Sequence, residues 1–404
     1  MPRSPSPSAA RALAALAAAL VLGACAADAR VRRAPTGVVP PTPRDAVAEG
    51  DLARGDGRLD DAITTYERAV AADRASVPPH LRLVAALQAA GRRSEAQARY
   101  AAAARAPGAT EPERVLAARL ATDGSSAELR RVYGDAARAA QGHAWWHLAL
   151  AEVELADAEA SLAEQARARA SGDRPAAARA LEGGREALAR AQAAVDEAAR
   201  RAPDLAEVHL YRGLLRSVEA DALPTVSAKT AAYRAAAEAF ERAVAADSAL
   251  VDAWANLADA RRRTREPDRA LVAALAAARL APSDPALRVA AGVALHDLGR
   301  HREAAEQLLE AARLDPTDAA PWIAAGDELA SDGRLEEALD AYGRALALAP
   351  RRVEALARRG AVLERMGRPA QAREDYTAYL ERGGPDEGAV RRRMERLSSV
   401  EAAR

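Results

Sequence analysis

Bulky aromatic side chains are scarce in this sequence. Phe, Trp and Tyr make up 3% of its 404 residues, although 50% of the residues are hydrophobic. The apolar content is therefore mostly Ala and Leu, which suit closely packed helices better than a large globular core. Ala, Leu, Arg and Glu, which are strong helix formers, dominate the chain. We therefore predict an all-α fold.

Cysteine and an excess of positive charge are also missing. The single cysteine, Cys25, excludes an intramolecular disulfide framework and a zinc site built from several cysteines. Basic and acidic residues balance at 58 each, so the chain lacks the basic surface typical of nucleic-acid binding. Lys229 is the only lysine, which we interpret as a base-composition bias and not as a binding signal. We predict no nucleic-acid partner.

The first 25 residues have the layout of a targeting segment. Arg3 and Arg11 supply positive charge, residues 12–21 are apolar, and Leu22-Gly23-Ala24-Cys25 follows. This ending resembles the bacterial lipobox, which implies a signal peptide at 1–24 and a diacylglycerol group on Cys25. An ordinary secretory signal or a plain membrane helix is the alternative, but the apolar run is shorter than the ~20 residues that a span needs.

The segment 25–42 is predicted to be an extended, proline-rich tether, because Pro35, Pro40 and Pro41 exclude a helix. A lipid on Cys25 would hold the chain to a membrane surface without threading it through. In Gram-negative lipoproteins, Asp directly after the cysteine is the usual signal for retention in the inner membrane. Here Ala26 occupies that position. We therefore expect a lipid-anchored protein of the bacterial cell envelope, at the outer membrane facing the periplasm if the source is Gram-negative.

The remaining chain repeats itself every 34 residues. The clearest unit starts at residue 319, and its marker residues are Trp322, Gly326, Leu329, Ala338, Tyr342, Ala345 and Pro350. These residues and spacings resemble the tetratricopeptide repeat (TPR) motif. The same frame fits units that start at Pro43, Val77, Val251, Pro285 and Val353. The resemblance implies a right-handed superhelical solenoid of about nine helix-turn-helix repeats, in which glycine sits where two helices approach most closely.

The repeats divide the chain into segments. We predict N-terminal repeats at 43–142, an expanded repeat at 143–205, C-terminal repeats at 206–386 and a capping helix at 387–404, for which a frayed tail is the alternative. The expanded repeat has heptad spacing of small and apolar residues on both sides of a turn at 171–175. It predicts two helices of about 28 residues that pair as an antiparallel, coiled-coil-like hairpin.

Catalytic motifs are missing as well. His143 and His147 are four residues apart and could share a metal ion, but the HExxH pattern is absent, so packing roles are favoured. The sequence has no phosphate-binding glycine loop, no G-x-S-x-G elbow and no nucleophile–base constellation. We predict a non-enzymatic protein with no metal and no cofactor.

The TPR resemblance implies that a protein or peptide partner binds a concave groove formed by the first helices. We predict groove positions at Asp252, Asp259, Arg262, Arg263, His296, Asp297, Ile323, Asp327, Glu354, Glu364 and Arg365. The alternative is that these charges only solvate the groove. The central hairpin is a second predicted partner surface.

The leading hypothesis is a lipid-anchored scaffold or adaptor in envelope assembly, such as pilus, secretion, outer-membrane or cell-wall machinery. Two alternatives stay open. One is a small-ligand-binding regulator or enzyme accessory subunit, and the other is a self-associating structural protein that forms a homodimer through the hairpin.

Overall fold

The computed structural model describes residues 43–55, 57–122, 124–139 and 143–402. The predicted signal peptide, Cys25 and the tether at 25–42 lie outside these residues. Across the described residues the chain forms nineteen α-helices and no β-strand. The prediction of an all-α helical-repeat fold is confirmed.

The helices, numbered in chain order, are α1 Pro43–Gly55, α2 Leu59–Ala72, α3 Val77–Ala89, α4 Arg93–Arg105, α5 Glu111–Ala121, α6 Ser126–Ala139, α7 Ala144–Ala170, α8 Arg174–Arg201, α9 Ala206–Ala222, α10 Val226–Ala246, α11 Val251–Arg263, α12 Pro267–Leu280, α13 Pro285–Asp297, α14 His301–Leu314, α15 Ala319–Ser331, α16 Leu335–Leu348, α17 Val353–Arg365, α18 Pro369–Glu381 and α19 Glu387–Ala402. Odd-numbered helices up to α17 are the first helices of nine helix pairs, and even-numbered helices are the second helices.

The chain divides into two compact units, of which unit 1 ends at Glu266 and unit 2 begins at Pro267. Unit 1 holds α1 to α11 and unit 2 holds α12 to α19. Consecutive first helices contact each other inside each unit, as α7 and α11 do with α9, and as α15 does with α17. Because a single helix pair cannot bury its apolar face alone, this stacking supplies the core of each unit.

The turn between the two helices of a repeat requires a left-handed backbone residue. Gly333 fills this position after α15 with a φ of 83°, and the amide of Arg334 then donates to the Leu329 carbonyl at 2.9 Å. Arg265 takes the corresponding position after α11 with a φ of 62°, which is unfavourable for a side chain with a Cβ atom. The boundary between the two units lies one residue later, after Glu266.

Glycines of the first helices make room for an aromatic ring. A Cβ atom on Gly326 would lie 2.6 Å from the Tyr342 ring, and one on Gly360 would lie 2.6 Å from the Tyr376 ring. In both repeats the ring belongs to the residue sixteen positions later, on the second helix. The sequence analysis attributed the glycine to close approach of the two helices. The structure identifies the neighbour more closely as the ring that the second helix inserts.

The expanded repeat forms a hairpin of two long helices, α7 with 27 residues and α8 with 28. Its turn occupies 171–173, and the Asp173 carboxylate caps α8 by accepting from the Ala176 amide at 2.9 Å. A Cβ atom on Gly184 would lie 3.4 Å from the Ser161 Cβ atom, so the helices approach closely there. The residues buried along the seam are mostly small: Leu148, Ala151, Leu155, Ala158, Gly184, Leu188, Ala191, Val195 and Ala198.

The substitution Gly326→Ala is expected to destabilise the protein by up to about 2 kcal/mol. Overpacking against the Tyr342 ring costs about 1–3 kcal/mol, and the gain of about 1 kcal/mol in helix propensity offsets part of this cost. Gly343→Ala is the matched control, because a Cβ atom there has no neighbour within 4 Å. It should stabilise the helix by about 0.5–1 kcal/mol. Urea unfolding followed by circular dichroism checks both, and equal stability of the two variants would contradict the ring contact.

Candidate partner-binding face

The predicted groove residues all lie on first helices, but they are divided between the two units. Four of them, from Asp252 to Arg263, lie on α11 in unit 1. The other seven, from His296 to Arg365, lie on α13, α15 and α17 in unit 2. We call the sides of the first helices that carry these positions the first-helix face of each unit.

Asp327 lies at the centre of a three-residue link between two repeats. Its carboxylate accepts a hydrogen bond from the Tyr342 hydroxyl at 2.7 Å, within the same repeat. The same carboxylate forms an ion pair with Arg358 on the next first helix, α17. Burial raises the pKa of Asp327, and the charge of Arg358 opposes that rise. This predicted groove residue therefore holds neighbouring repeats together.

The same link recurs along the chain, and we call it the carboxylate–tyrosine–arginine link. It is formed by Asp51, Tyr66 and Arg82, by Asp221, Tyr233 and Arg263, by Asp327, Tyr342 and Arg358, and by Glu364, Tyr376 and Arg393. The first and third links have identical sequence spacing. Three of the predicted groove residues, Arg263, Asp327 and Glu364, therefore have a structural partner of their own chain.

The link that contains Arg82, on α3, is buried inside unit 1. The Arg82 side chain is 0% exposed, although its Nε atom reaches the Asp51 carboxylate at 2.9 Å. Burial alone would lower the pKa of Arg82, but the charges of Asp51 and of Glu207, on α9, raise it. Burial also raises the pKa of Glu207 to about 7, against the opposing charge of Arg82. The first-helix face of unit 1 is thus covered at this point by its own chain.

The equivalent link in unit 2 is open to solvent. The Arg358 side chain is 44% exposed, in contrast to the fully buried Arg82. On α13, Val289 and Val293 are half-buried, whereas Leu81 and Ala85 take the same repeat positions in α3 and are 5% and 6% exposed. The first-helix face of unit 2 therefore offers accessible apolar and charged side chains.

The other predicted groove residues have varied surroundings. Asp259 pairs with Arg262 at 3.1 Å and with Arg263 at 2.6 Å on its own helix. Asp252 is half-buried on α11, and Asp297 is exposed at the end of α13. Glu354 pairs with Arg352 at 3.1 Å, and Arg365 donates to the Ala330 carbonyl at 2.8 Å. Ile323 is 5% exposed within the apolar core. Ile323 thus packs inside and does not form a groove floor.

His296 belongs to a cluster that sequence reasoning did not find. Its Nδ1 atom lies 2.7 Å from one oxygen of the Glu328 carboxylate, and Nδ1 of His301 lies 2.8 Å from the other. The three residues come from α13, α14 and α15. A signal was present in the sequence, because Glu328 occupies a repeat position where Ala294 and Val362 are apolar.

The histidine pair considered from sequence is not arranged as a metal site. His143 precedes α7 as its N-cap with an extended backbone, so it does not share a helix face with His147. Burial lowers the pKa of His147. His143 instead lies 3.6 Å from a carboxylate oxygen of Glu111. The structure therefore leaves His143 at the surface and His147 partly buried, in place of a shared metal site.

A cavity of about 250 Å³ lies in unit 1 beside His80. Its polar side chains are paired with each other: His80 bonds the Tyr100 hydroxyl at 2.9 Å, and Arg74 forms two hydrogen bonds with Glu113 at 2.9 Å. These pairs occupy the groups that a polar ligand would use. The cavity therefore gives little support to the small-ligand alternative.

Family models of known proteins match part of the chain. A model described as tetratricopeptide repeat matches residues 230–285 and 257–319, and a model described as TPR repeat matches residues 326–367. A comparison with curated proteins finds no match.

Several solved structures resemble the chain. YrrB, "a TPR protein with an unusual peptide-binding site", is 19% identical over 50% of this chain and 97% of its own, with a TM-score of 0.43. A MamA crystal structure is 19% identical over 40% of this chain and 95% of its own, with a TM-score of 0.36. MamA from Desulfovibrio magneticus RS-1 is 17% identical over 39% and 88%, also with a TM-score of 0.36. With scores this low, the assignment of the repeats rests on the family models and the helix geometry.

The paired substitutions Arg82→Ala and Arg358→Ala should separate the closed link from the open one. Arg82→Ala removes the fully buried cation that pairs with Asp51 and opposes the charge of the buried Glu207, which we expect to cost about 3–5 kcal/mol. Arg358→Ala removes an exposed ion pair, and we expect a loss of no more than about 1 kcal/mol. Urea unfolding with hydrogen exchange resolves the unit that each variant affects. Similar losses for both variants would show that the two faces are equally buried.

Proposed function

Because the chain belongs to the tetratricopeptide repeat family, whose fold is a non-catalytic scaffold for protein interactions, we propose that it is a lipid-anchored adaptor of the bacterial envelope. Its protein partner binds the first-helix face of unit 2. The observation that carries this proposal is the contrast between the fully buried Arg82 and the 44% exposed Arg358, which hold the same place in identically spaced links.

The chemistry of this face defines the partner. Val289 and Val293 supply accessible apolar surface on α13, and the exposed charge of Asp297 lies on the same helix, while Arg358 on α17 presents the solvent-exposed side of its link. Such a surface fits a protein segment with apolar side chains next to charges of both signs. Since Asp327 and Glu364 are held in links, they keep the face in shape and are less free to bind the partner themselves.

The membrane anchor is proposed from the sequence of the N-terminal segment. The Leu-Gly-Ala-Cys ending places lipid on Cys25, and the tether at 25–42 separates the repeats from the bilayer. None of the described helices is sufficiently long and apolar to cross a membrane. A scaffold held at the membrane surface fits the assembly of envelope machinery, such as a pilus, a secretion system or the cell wall.

Self-association through the hairpin is the second candidate function. The end of the hairpin carries exposed charged residues, among them Glu164, Arg167, Arg169, Arg174 and Arg179. Such a surface is easily solvated and lacks the apolar centre of a typical homodimer interface. We therefore favour binding of a different protein over a homodimer.

Replacing Cys25 tests the anchor. In the native bacterial host, the parent chain should fractionate with membranes and carry a diacylglycerol mass on its first mature residue. The Cys25→Ser variant should lose the lipid mass and leave the membrane fraction, because its serine hydroxyl replaces the thiol that the lipid modifies. Membrane fractionation and intact-mass spectrometry provide the readout. A Cys25→Ser chain that stays in the membrane to the same extent would reject the lipid anchor.

Site-directed photo-cross-linking in cells tests the partner face. A photoreactive residue at Val293 should capture a partner, whereas one at Glu336, exposed on the second helix α16, should not. With the captured protein purified, Val289→Asp should weaken its binding at least tenfold, because a charge then faces the apolar surface of the partner. Glu336→Lys is the control and should leave the affinity unchanged.

Three outcomes would contradict this assignment. Capture at Glu336 but not at Val293 would place the partner on the other side of the repeats. Capture of a second copy of this chain would favour self-association. Unchanged affinity of the Val289→Asp variant would show that the face does not bind the captured protein.

A further inference from the structure

Glu328 is a departure from the repeat pattern inside the core of unit 2. Two residues after the glycine position, three other repeats have buried apolar side chains: Leu215 is 1% exposed, Ala294 is 2% and Val362 is 3%. Glu328 is 5% exposed at this position. Because burying a carboxylate is unfavourable without compensation, this residue requires a partner with donors or positive charge.

The compensating groups are two histidines. Nδ1 of His296 and Nδ1 of His301 lie 2.7 Å and 2.8 Å from the two carboxylate oxygens of Glu328. The chain has six histidines and 58 basic residues, nearly all of them arginine, and most of its other buried carboxylates pair with arginine. At Glu328 the protein therefore uses imidazole where it uses the arginine guanidinium at most other buried carboxylates.

One of the two histidines also departs from the repeat pattern. His301 takes the first position of the second helix, where α2 and α16 begin with leucine and α12 and α18 with proline. His296 takes a position that is Arg262 in the preceding repeat and Ala330 in the next. Two departures, Glu328 and His301, thus meet His296 at one point, between the end of α13, the start of α14 and the middle of α15.

We propose that His296, His301 and Glu328 form a binding site for a divalent transition-metal ion of the zinc class. Their ligand atoms, two imidazole nitrogens and a carboxylate oxygen, all lie within 4.8 Å of one another. Within the described residues this is the only group of three or more such side chains within that range. Two imidazoles with one carboxylate suit zinc and its neighbours, whereas magnesium and calcium prefer oxygen ligands.

Metal binding would replace the two hydrogen bonds to Glu328, and the protons involved need no other reactant. A carboxylate oxygen only accepts hydrogen bonds, so in the metal-free form each Nδ1 that bonds Glu328 carries a proton. On binding, each Nδ1 lone pair bonds the metal and the proton moves through solvent to Nε2. Each Nδ1 must move slightly away from the carboxylate oxygen that it bonds. Two ligand atoms that each lie about 2.0–2.2 Å from one ion are farther apart than the two atoms of a hydrogen bond.

The surroundings favour entry of an ion and an open coordination position. The His296 side chain is 58% exposed and that of His301 35%, while the Glu328 side chain at 7% is fixed by the core. Three protein ligands leave a fourth position for water. Bound metal would connect α13, α14 and α15, and so would fix the angle between two consecutive repeats of unit 2.

Metal titration of the purified Cys25→Ser chain tests the site, with no thiol left to compete. Calorimetry should show one Zn²⁺ per chain, and Co²⁺ should give the visible absorption bands of a tetrahedral site with nitrogen and oxygen ligands. Glu328→Gln and His296→Asn should each weaken binding at least tenfold and remove the rise in melting temperature that Zn²⁺ produces in the parent chain. His143→Asn is the matched control and should keep both.

His296→Asn keeps the test decisive even if Glu328→Gln fails to fold, because His296 is largely exposed. Circular dichroism checks folding of each variant before titration. The proposal is overturned if neither Zn²⁺ nor Co²⁺ binds saturably, or if His296→Asn binds as tightly as the parent chain. In either case the cluster is only a hydrogen-bonded clasp. The titration contains only the purified chain and metal ions. Its result therefore does not depend on the proposed adaptor function.

Discussion

The ring of a second-helix tyrosine lying on a first-helix glycine is the contact on which the repeats depend. With Tyr342 the ring fills the space beside Gly326, and the hydroxyl at its far end reaches the Asp327 carboxylate. That carboxylate then holds Arg358 of the next repeat. One side chain thereby joins the two helices of its own repeat and orients the group that joins it to the following one. A chain so poor in aromatic residues can still form an ordered stack, because three of its eight tyrosines occupy these positions and Phe240 and Leu308 fill the same place beside Gly213 and Gly292.

The same link has a different consequence in each unit. Around Arg82 it is buried together with Glu207, and the resulting charge cluster fixes the first-helix face of unit 1 to its own chain. Around Arg358 it remains in contact with solvent. Exposed charges interact weakly with each other because water competes for them, so they can be rearranged by a protein that excludes water. The contrast between the closed link of unit 1 and the open link of unit 2 thus follows from solvent access and not from a change in the motif.

Departures from the repeat pattern are the most informative positions of this chain. Most of the conserved spacing is explained by packing, as the glycine and tyrosine positions show. Glu328 is not explained in this way, because its repeat position is apolar elsewhere and a carboxylate is costly to bury there. The two histidines that satisfy it come from neighbouring helices of unit 2. A residue that breaks a packing rule and is compensated by two others is a better indication of function than any single charged residue on the surface.

The sequence by itself determined the helical repeats, the turn of the central hairpin and the spacing between glycine and aromatic ring. These features depend on residues close in sequence, whose positions on a helix follow from its periodicity. The tertiary structure alone decided that Ile323 packs inside, that the charge of the buried Glu207 acts on Arg82, and that Glu328 is held between His296 and His301. Helical periodicity shows which side of a helix a residue occupies, but not which residue of another repeat lies opposite. That pairing depends on how the helices stack and on how much water they exclude, which the three-dimensional packing sets.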